Sequence, residues 1–349
     1  MLDIEKVLVE IVPLDEEAMS AASAHLDQLT KPPGSLGKLE AIARQWAGIT
    51  GQVLPEPGGK AVIVMAGDHG VCEEGVSAFP SEVTPQMVLN FLNGGAAVNV
   101  LARHVGAEVV CVDIGVNADL EHPGLVSRKV RKGTGNMARG AAMTMGEAEQ
   151  AIAAGIELVD ELAARGVRLL ATGEMGIGNT TPSAALLCAL TGLAPAQAVG
   201  RGTGIDDEGW LHKVAVVQQA LEVNAPEADK PLEALAKVGG LEIAGLVGVI
   251  LGAARNRCPV IIDGFISSAA ALVASRISPL STSYMLASHL SQEQGHARLL
   301  EAIGLSPMLH MDMRLGEGTG AVLAFTLVDA AGKIMREMAT FASAGVSQA

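Results

Sequence analysis

Aromatic residues are scarce in this chain. Among 349 residues there are two Trp, one Tyr and five Phe, 2% in all. That argues against stacking nucleic-acid bases on aromatic platforms. Positive charge is also short: Lys and Arg total 24 against 38 Asp and Glu, a net charge of −14. A nucleic-acid binder needs a basic face, so no nucleic-acid partner is expected, although a local basic patch can still hold a phosphate. The four cysteines, Cys72, Cys111, Cys188 and Cys258, form no CxxC pair. Reduced, buried thiols are expected rather than a zinc ribbon or a disulfide frame. The longest apolar run, 243–254, falls short of the ~18 residues of a membrane span, so no membrane association is expected. The first residues carry Asp3, Glu5 and Glu10 and lack the pattern of a secretory signal, which makes cytoplasmic placement the expectation.

What is present is a large apolar fraction. Hydrophobic residues make up 49% and charged residues 18%, the composition of a folded chain. At ~150 residues per domain the length suggests two units, or one large domain with additions. Short apolar runs at 61–66, 108–112, 167–171, 259–262 and 308–311 read as strands buried on both faces. Helical periodicity falls between them, over 84–104, 145–165, 207–222 and 241–255. This alternation predicts an α/β fold, a Rossmann-like parallel sheet flanked by helices. Gly245, Gly248 and Gly252 suit a buried helix that packs closely on a neighbour. The ends are helical, over 16–29, 36–51 and one long stretch from Gly320 to about 342. They predict a small helical domain, 1–60 together with 321–349, beside a 61–320 α/β domain.

Each apolar run is followed by glycine and an acidic residue: Gly67-Asp68-His69-Gly70, Asp113-Ile114-Gly115, Gly173-Glu174-Met175-Gly176, Asp263-Gly264, and Asp312 with Arg314-Leu315-Gly316-Glu317-Gly318. Ligands of open α/β sheets bind outside the carboxyl ends of the strands, where these residues gather. Ordinary strand-to-helix turns use the same residue types. Gly173 to Pro182 follows a strand and opens a helix with Asn179, Thr180 and Thr181. Closely spaced glycines and a helix N-terminus make a cradle for phosphate, and a capped tight turn accounts for the same residues. The run is neither GxGxxG nor GxxxxGK[ST], so it supports neither a dinucleotide fold nor a P-loop. Gly200-Arg201-Gly202-Thr203-Gly204 is a second flexible loop, with Arg201 or Lys213 as a cation for a phosphoryl group, or a solvated loop with surface cations. In Gly316-Glu317-Gly318-Thr319-Gly320, three alternating glycines exceed the needs of a helix start. They point to close approach of backbone to a ligand beside one carboxylate. The histidines are scattered without HExxH, so no metal site is expected. Asp68-His69 stands alone at a strand end, and a turn role fits it equally.

Thr172 to Thr181 and Arg314 to Ala321 together resemble the nicotinate-nucleotide–dimethylbenzimidazole phosphoribosyltransferase family of cobalamin synthesis. Lys31-Pro32-Pro33-Gly34-Ser35-Leu36-Gly37, Gly67 to Val71, Gly94-Gly95-Ala96-Ala97 and Gly200 to Asp207 are similar to it too, so the resemblance spans nearly the whole chain. Before Gly295-His296 the chain lacks a proline often found in that family. The resemblance implies transfer of the phosphoribosyl group of nicotinate mononucleotide to 5,6-dimethylbenzimidazole, with inversion at the anomeric carbon. It implies Glu317 as general base; Glu174 is expected as a secondary catalytic carboxylate, stabilising a developing oxocarbenium charge or holding ribose hydroxyls. It places Ser81, Gln86 and Leu315 near the benzimidazole, and Met175, Gly176, Gly178, Asn179, Thr180, Gly202, Lys213, Gly264 and Ser291 in the substrate-binding loops. It also implies a homodimer whose small domain completes the neighbour's site, and no cofactor. A nucleotide-binding protein without activity, or a related mononucleotide nucleosidase, would use the same phosphate loops.

Overall fold

The structure is a computed structural model that describes residues 2–202 and 204–347. It opens with α1 (Ile4–Glu10), α2 (Glu16–Gln28) and α3 (Lys38–Thr50). Asp3 and Asp15 cap the first two by accepting the amides of Lys6 and Ala18, the usual remedy for orphan N–H groups at a helix start. The chain then enters β1 (Gly59–Gly67), buried from Ala61 onward as an unbroken apolar run requires. A tight turn at Gly70–Glu74 leads to α4 (Val83–Leu92) and α5 (Ala97–Val105), then to β2 (Glu108–Gly115) and β3 (Val126–Ser127). The single helix expected over 84–104 is therefore two. Asn93-Gly94-Gly95 breaks it, with Gly94 at φ +74°.

α6 (Met145–Ala164) starts from a Thr144–Glu147 capping box and returns to β4 (Val167–Met175). Between β4 and β5 (Val260–Ile262) lie α7 (Thr180–Thr191), α8 (Pro195–Ala198), α9 (Asp207–Asn224), α10 (Pro231–Val238) and α11 (Leu241–Arg255). α12 (Phe265–Ile277) crosses to β6 (Met285–Ala287), and α13 (His296–Ile303), α14 (Thr319–Glu337) and α15 (Phe341–Ala344) complete the chain. Residues 308–311 do not form the expected strand. Leu309 makes one bridge to His289, and β6, too short to show a pattern in sequence, takes the sheet edge instead. Nor does the last helix run unbroken to 342. The amide of Thr30 donates to the Ala339 carbonyl at 3.0 Å and Thr340 bridges Leu29, which draws that backbone out of α14.

The six strands are all parallel, in the order β3-β2-β1-β4-β5-β6. This is the doubly wound order, although the sequence carries no dinucleotide fingerprint. Its direction of winding reverses between β1 and β4, and a crevice opens at the carboxyl ends there. Alternating side chains serve two cores. Ile63 and Met65 pack with α6 and α11, while Val62, Val64 and Ala66 pack with α3, α5 and α14. The α6–α11 contact is backbone to backbone, as its glycines led one to expect. A Cβ on Gly248 would lie 2.0 Å from the Ile152 carbonyl oxygen, and one on Gly155 would lie 2.1 Å from that of Gly245. The four cysteines are free, three of them buried. Among the described residues no helix is long and apolar enough to cross a membrane.

Candidate active site

β1, β4 and β5 end beside one another, and a cavity of about 720 Å³ opens at those ends. That is room for a substrate of a few hundred daltons. Of the residues predicted from sequence, Glu174, Met175, Gly176, Gly178, Asn179, Thr180, Gly202, Lys213, Gly264, Ser291, Leu315 and Glu317 line it. Ser81 and Gln86 do not. Ser81 hydrogen-bonds Cys72 and Gln86 is exposed, while Val83 and Met87 from the same segment reach the cavity. Phe79, Phe265, Ile266, Glu293 and Arg314 also line it and were not singled out in sequence. Arg314 stood inside the quoted glycine motif and Glu293 two residues past Ser291, so proximity to those motifs was the available signal.

One end of the cavity is built for an anion. The N-terminus of α7 faces it, and Lys213 Nζ donates to Thr180 Oγ1 at 2.6 Å. Lys213 is 1% exposed and, among the described residues, makes no ion pair. Burial lowers its pKa to about 8, with Glu293 working against the drop. Arg314 approaches from the other side, donating to the Gly202 carbonyl at 3.4 Å. Between the two cations sequence left open, Lys213 faces the cavity, whereas Arg201 pairs with Asp207 at the surface. Thr203 of that loop lies outside the described residues.

Beside it stand two buried carboxyl groups. Glu174, next to last in β4, accepts from Asn179 Nδ2 on one oxygen, and accepts the amide of Glu317 at 3.3 Å on the other. Burial first, and the charge of Asp263 second, push its pKa up to about 8. Burial likewise raises Glu317 to about 7, aided by Asp263 and opposed by the Val98 N–H at the start of α5. Among the described residues Glu317 Oε2 is buried without a hydrogen-bond partner, although Glu317 lines the cavity. Three successive residues here have left-handed backbone: Gly316 at φ +85°, Glu317 at +63° and Gly318 at +92°. The flanking glycines are also required by the protein itself. A Cβ on Gly316 would lie 2.3 Å from Glu174 Oε1, and one on Gly320 would lie 2.0 Å from His289 Nδ1.

Asp68-His69 lies beneath the Gly173–Gly178 loop. His69 Nε2 is 2.8 Å from Glu242 Oε1. Burial alone would lower its pKa, yet the neighbouring Glu242 outweighs burial and raises it. Among the described residues no group of three or more His, Cys, Asp or Glu is gathered as a metal centre.

A phosphoribosyltransferase family model matches residues 11–346. A protein of Chloroflexus aggregans named nicotinate-nucleotide–dimethylbenzimidazole phosphoribosyltransferase is 58% identical, over 97% of this chain and 96% of that one. A protein of the same name from Geobacter sp. strain M21 is 54% identical, over 99% of each. A crystal structure of the Thermus thermophilus protein with that name superposes at a TM-score of 0.91. It is 49% identical and covers 96% of this chain and 100% of that chain. With a matching fold, a matching length and identity near half or above throughout, this chain belongs to the nicotinate-nucleotide–dimethylbenzimidazole phosphoribosyltransferase family and is a phosphoribosyltransferase.

Proposed function

We propose that the enzyme moves the phosphoribosyl group of nicotinate mononucleotide onto 5,6-dimethylbenzimidazole, giving α-ribazole 5′-phosphate and nicotinate with inversion at the anomeric carbon. The observation that carries this reading is Glu317, a residue of the cavity wall with a buried carboxylate oxygen that has no hydrogen-bond partner among the described residues. Nicotinate leaves from a glycosyl pyridinium, so its ring nitrogen becomes neutral as the bond breaks and no general acid is required. The incoming benzimidazole forms its bond through one ring nitrogen and loses a proton from the other. One base suffices for that step. A carboxylate held near pKa 7 by burial is a stronger base than an ordinary glutamate and still ionised in half or more of molecules at neutral pH.

The remaining residues fit positioning roles. Lys213, Thr180, Gly202 and the start of α7 suit the 5′-phosphate. Phe79, Val83, Met87 and Leu315 offer an apolar wall for the benzimidazole. Glu174, with its pKa near 8, is a neutral acid at pH 7 and suits a ribose hydroxyl better than a developing oxocarbenium charge. Holding both rings on opposite faces of the ribose supplies much of the acceleration and dictates inversion. The chemistry as written calls for no cofactor.

We also take the enzyme to be a cytoplasmic homodimer. Phe79 and Leu315, 52% and 59% exposed at the cavity mouth, are apolar surface that a second copy would cover. The terminal segments, 1–60 with 321–349, form its small helical unit beside the 61–320 body. His25 Nε2 at 2.8 Å from the Met335 carbonyl and the Leu29–Thr340 bridge support that grouping.

The test is nicotinate release from nicotinate mononucleotide, followed by chromatography with and without dimethylbenzimidazole. Release that depends on the base, with a new ribosylated product, is expected. Release without it would make the protein a nucleosidase, and no release in either case would make it a nucleotide-binding protein.

A further inference from the structure

Helix α14 has no side-chain cap of its own. Gly318 holds the N-cap position and has nothing with which to accept the orphan amides of the first turn. Asp263, just past the end of β5, supplies both acceptors. Its Oδ2 accepts the Gly318 amide at 3.1 Å and its Oδ1 accepts the Ala321 amide at 3.0 Å. These are the N-cap and N3 amides, which a capping box normally satisfies with two side chains from the helix itself. Here one carboxylate does so from 55 and 58 residues away.

Asp263 is itself fixed. It is 1% exposed, its own amide donates to Thr172 Oγ1 on β4 at 3.1 Å, and Gly264 gives it a further N–H. Successive amides of the left-handed stretch thus go to different buried carboxylates, that of Glu317 to Glu174 and that of Gly318 to Asp263. Glutamate is disfavoured at positive φ, and such strain persists only where the surroundings over-determine it.

We propose that Asp263 is a positioning residue of the transfer reaction, holding Glu317 in its left-handed conformation on the cavity wall. The inference rests on the reading of Glu317 as the base. It goes beyond that reading by assigning the base's geometry to a residue that lies outside the cavity lining. Asp263 also bears on the proton. The titratable groups around Glu317 are Asp263 itself, Glu174 on β4, and His289, whose Nδ1 is 3.9 Å from Asp263 Oδ1; Glu242 on α11 acts on Glu174. A like charge at Asp263 makes Glu317 harder to ionise and more basic.

The test is a double-mutant cycle of D263N and E317A. Asparagine keeps the size, removes the charge and leaves one acceptor for two amides. In the wild-type background D263N should lower kcat about 100-fold and leave KM for nicotinate mononucleotide within about threefold. The pH at which its rate rises should move down. In the E317A background it should cost no more than about threefold further. A D263N enzyme with wild-type kcat would overturn the proposal, as would a loss that persists in full once Glu317 is gone. D263S is made alongside, and failure of both variants to fold would assign Asp263 to the fold alone and overturn it too. Wild-type turnover by E317A would remove the base itself, and that single variant reports it without reference to Asp263.

Discussion

The amide of Glu317 donates to Oε1 of Glu174 at 3.3 Å, so these two of the cavity's acidic residues are tied through backbone rather than left to find each other. The same oxygen lies where a side chain on Gly316 would have to go. Burial raises both carboxyl groups, to about 7 and about 8. On the proposed mechanism, Glu317, the lower of the two, is the one that acts as base near neutral pH.

That pairing fixes a rate profile. Turnover should rise with pH through about 7, as Glu317 loses its proton. E317Q should lower kcat by about 10²–10⁴-fold, the range for one general base, and abolish the rising limb. Steady-state nicotinate release from pH 5 to 9 checks it. A Gln variant that retained the limb would assign the titration to another group.

The same shift has a cost in stability. A carboxyl group whose folded pKa exceeds its ordinary value of 4.5 stabilises the fold most when protonated, below that value. Its contribution is lost as pH rises, the loss being complete above about 7. E317Q should therefore unfold at a higher temperature than wild type at pH 8, with the gain vanishing toward pH 4. Calorimetry at several pH values reads the difference. A gain independent of pH would locate its origin in packing.

Lys213 is the buried cation of the anion end. Removing a charge-assisted hydrogen bond costs about 1.5–3 kcal/mol, so K213M should raise KM for nicotinate mononucleotide by roughly 10- to 100-fold. Because burial holds Lys213 near 8, the wild-type KM should also climb above that pH, and the K213M value should not. Equal slopes in the two enzymes would place the alkaline loss on Glu174 instead.

Gly248 tests the scaffold apart from the chemistry. With the Ile152 carbonyl 2.0 Å from the added Cβ, G248A must push α6 and α11 apart and should destabilise the fold by about 1–3 kcal/mol or more. Urea titration measures that loss, while kcat per folded molecule should stay near wild type. Undiminished stability would mean that the helices separate freely.

Fold and site were legible in the sequence to different depths. Long strands buried on both faces announce themselves as unbroken apolar runs, so β1, β2 and β4 were plain. β3 and β6, with two and three residues, carry no period to read, and 308–311 imitated the edge strand that β6 became. The site residues that stood out sit in glycine-punctuated turns after strands, where local sequence and local geometry coincide. Glu293 and Arg314 were marked only by standing beside or inside the motifs, while Phe79 and Met87 reach the cavity only through tertiary packing, which single-sequence patterns do not encode. The same holds for His69 and Glu242, 173 residues apart. Packing also decided which of Arg201 and Lys213 turns inward, a choice that residue type left open.

The unequal construction of the cavity walls divides the protein's scope for change. The Gly316–Gly318 stretch is hemmed in by Glu174, Val62 and its own reversed backbone, so almost any substitution there disturbs the reacting groups. Phe79 and Leu315, by contrast, are more than half exposed and can be exchanged without displacing a buried neighbour. On the proposed reading, a variant library confined to these two positions would vary which ring system is admitted, and the pairing of two copies with it, while leaving Glu317 and Glu174 in place. Acceptor preference and reactivity can accordingly diverge along separate mutational routes within this one scaffold.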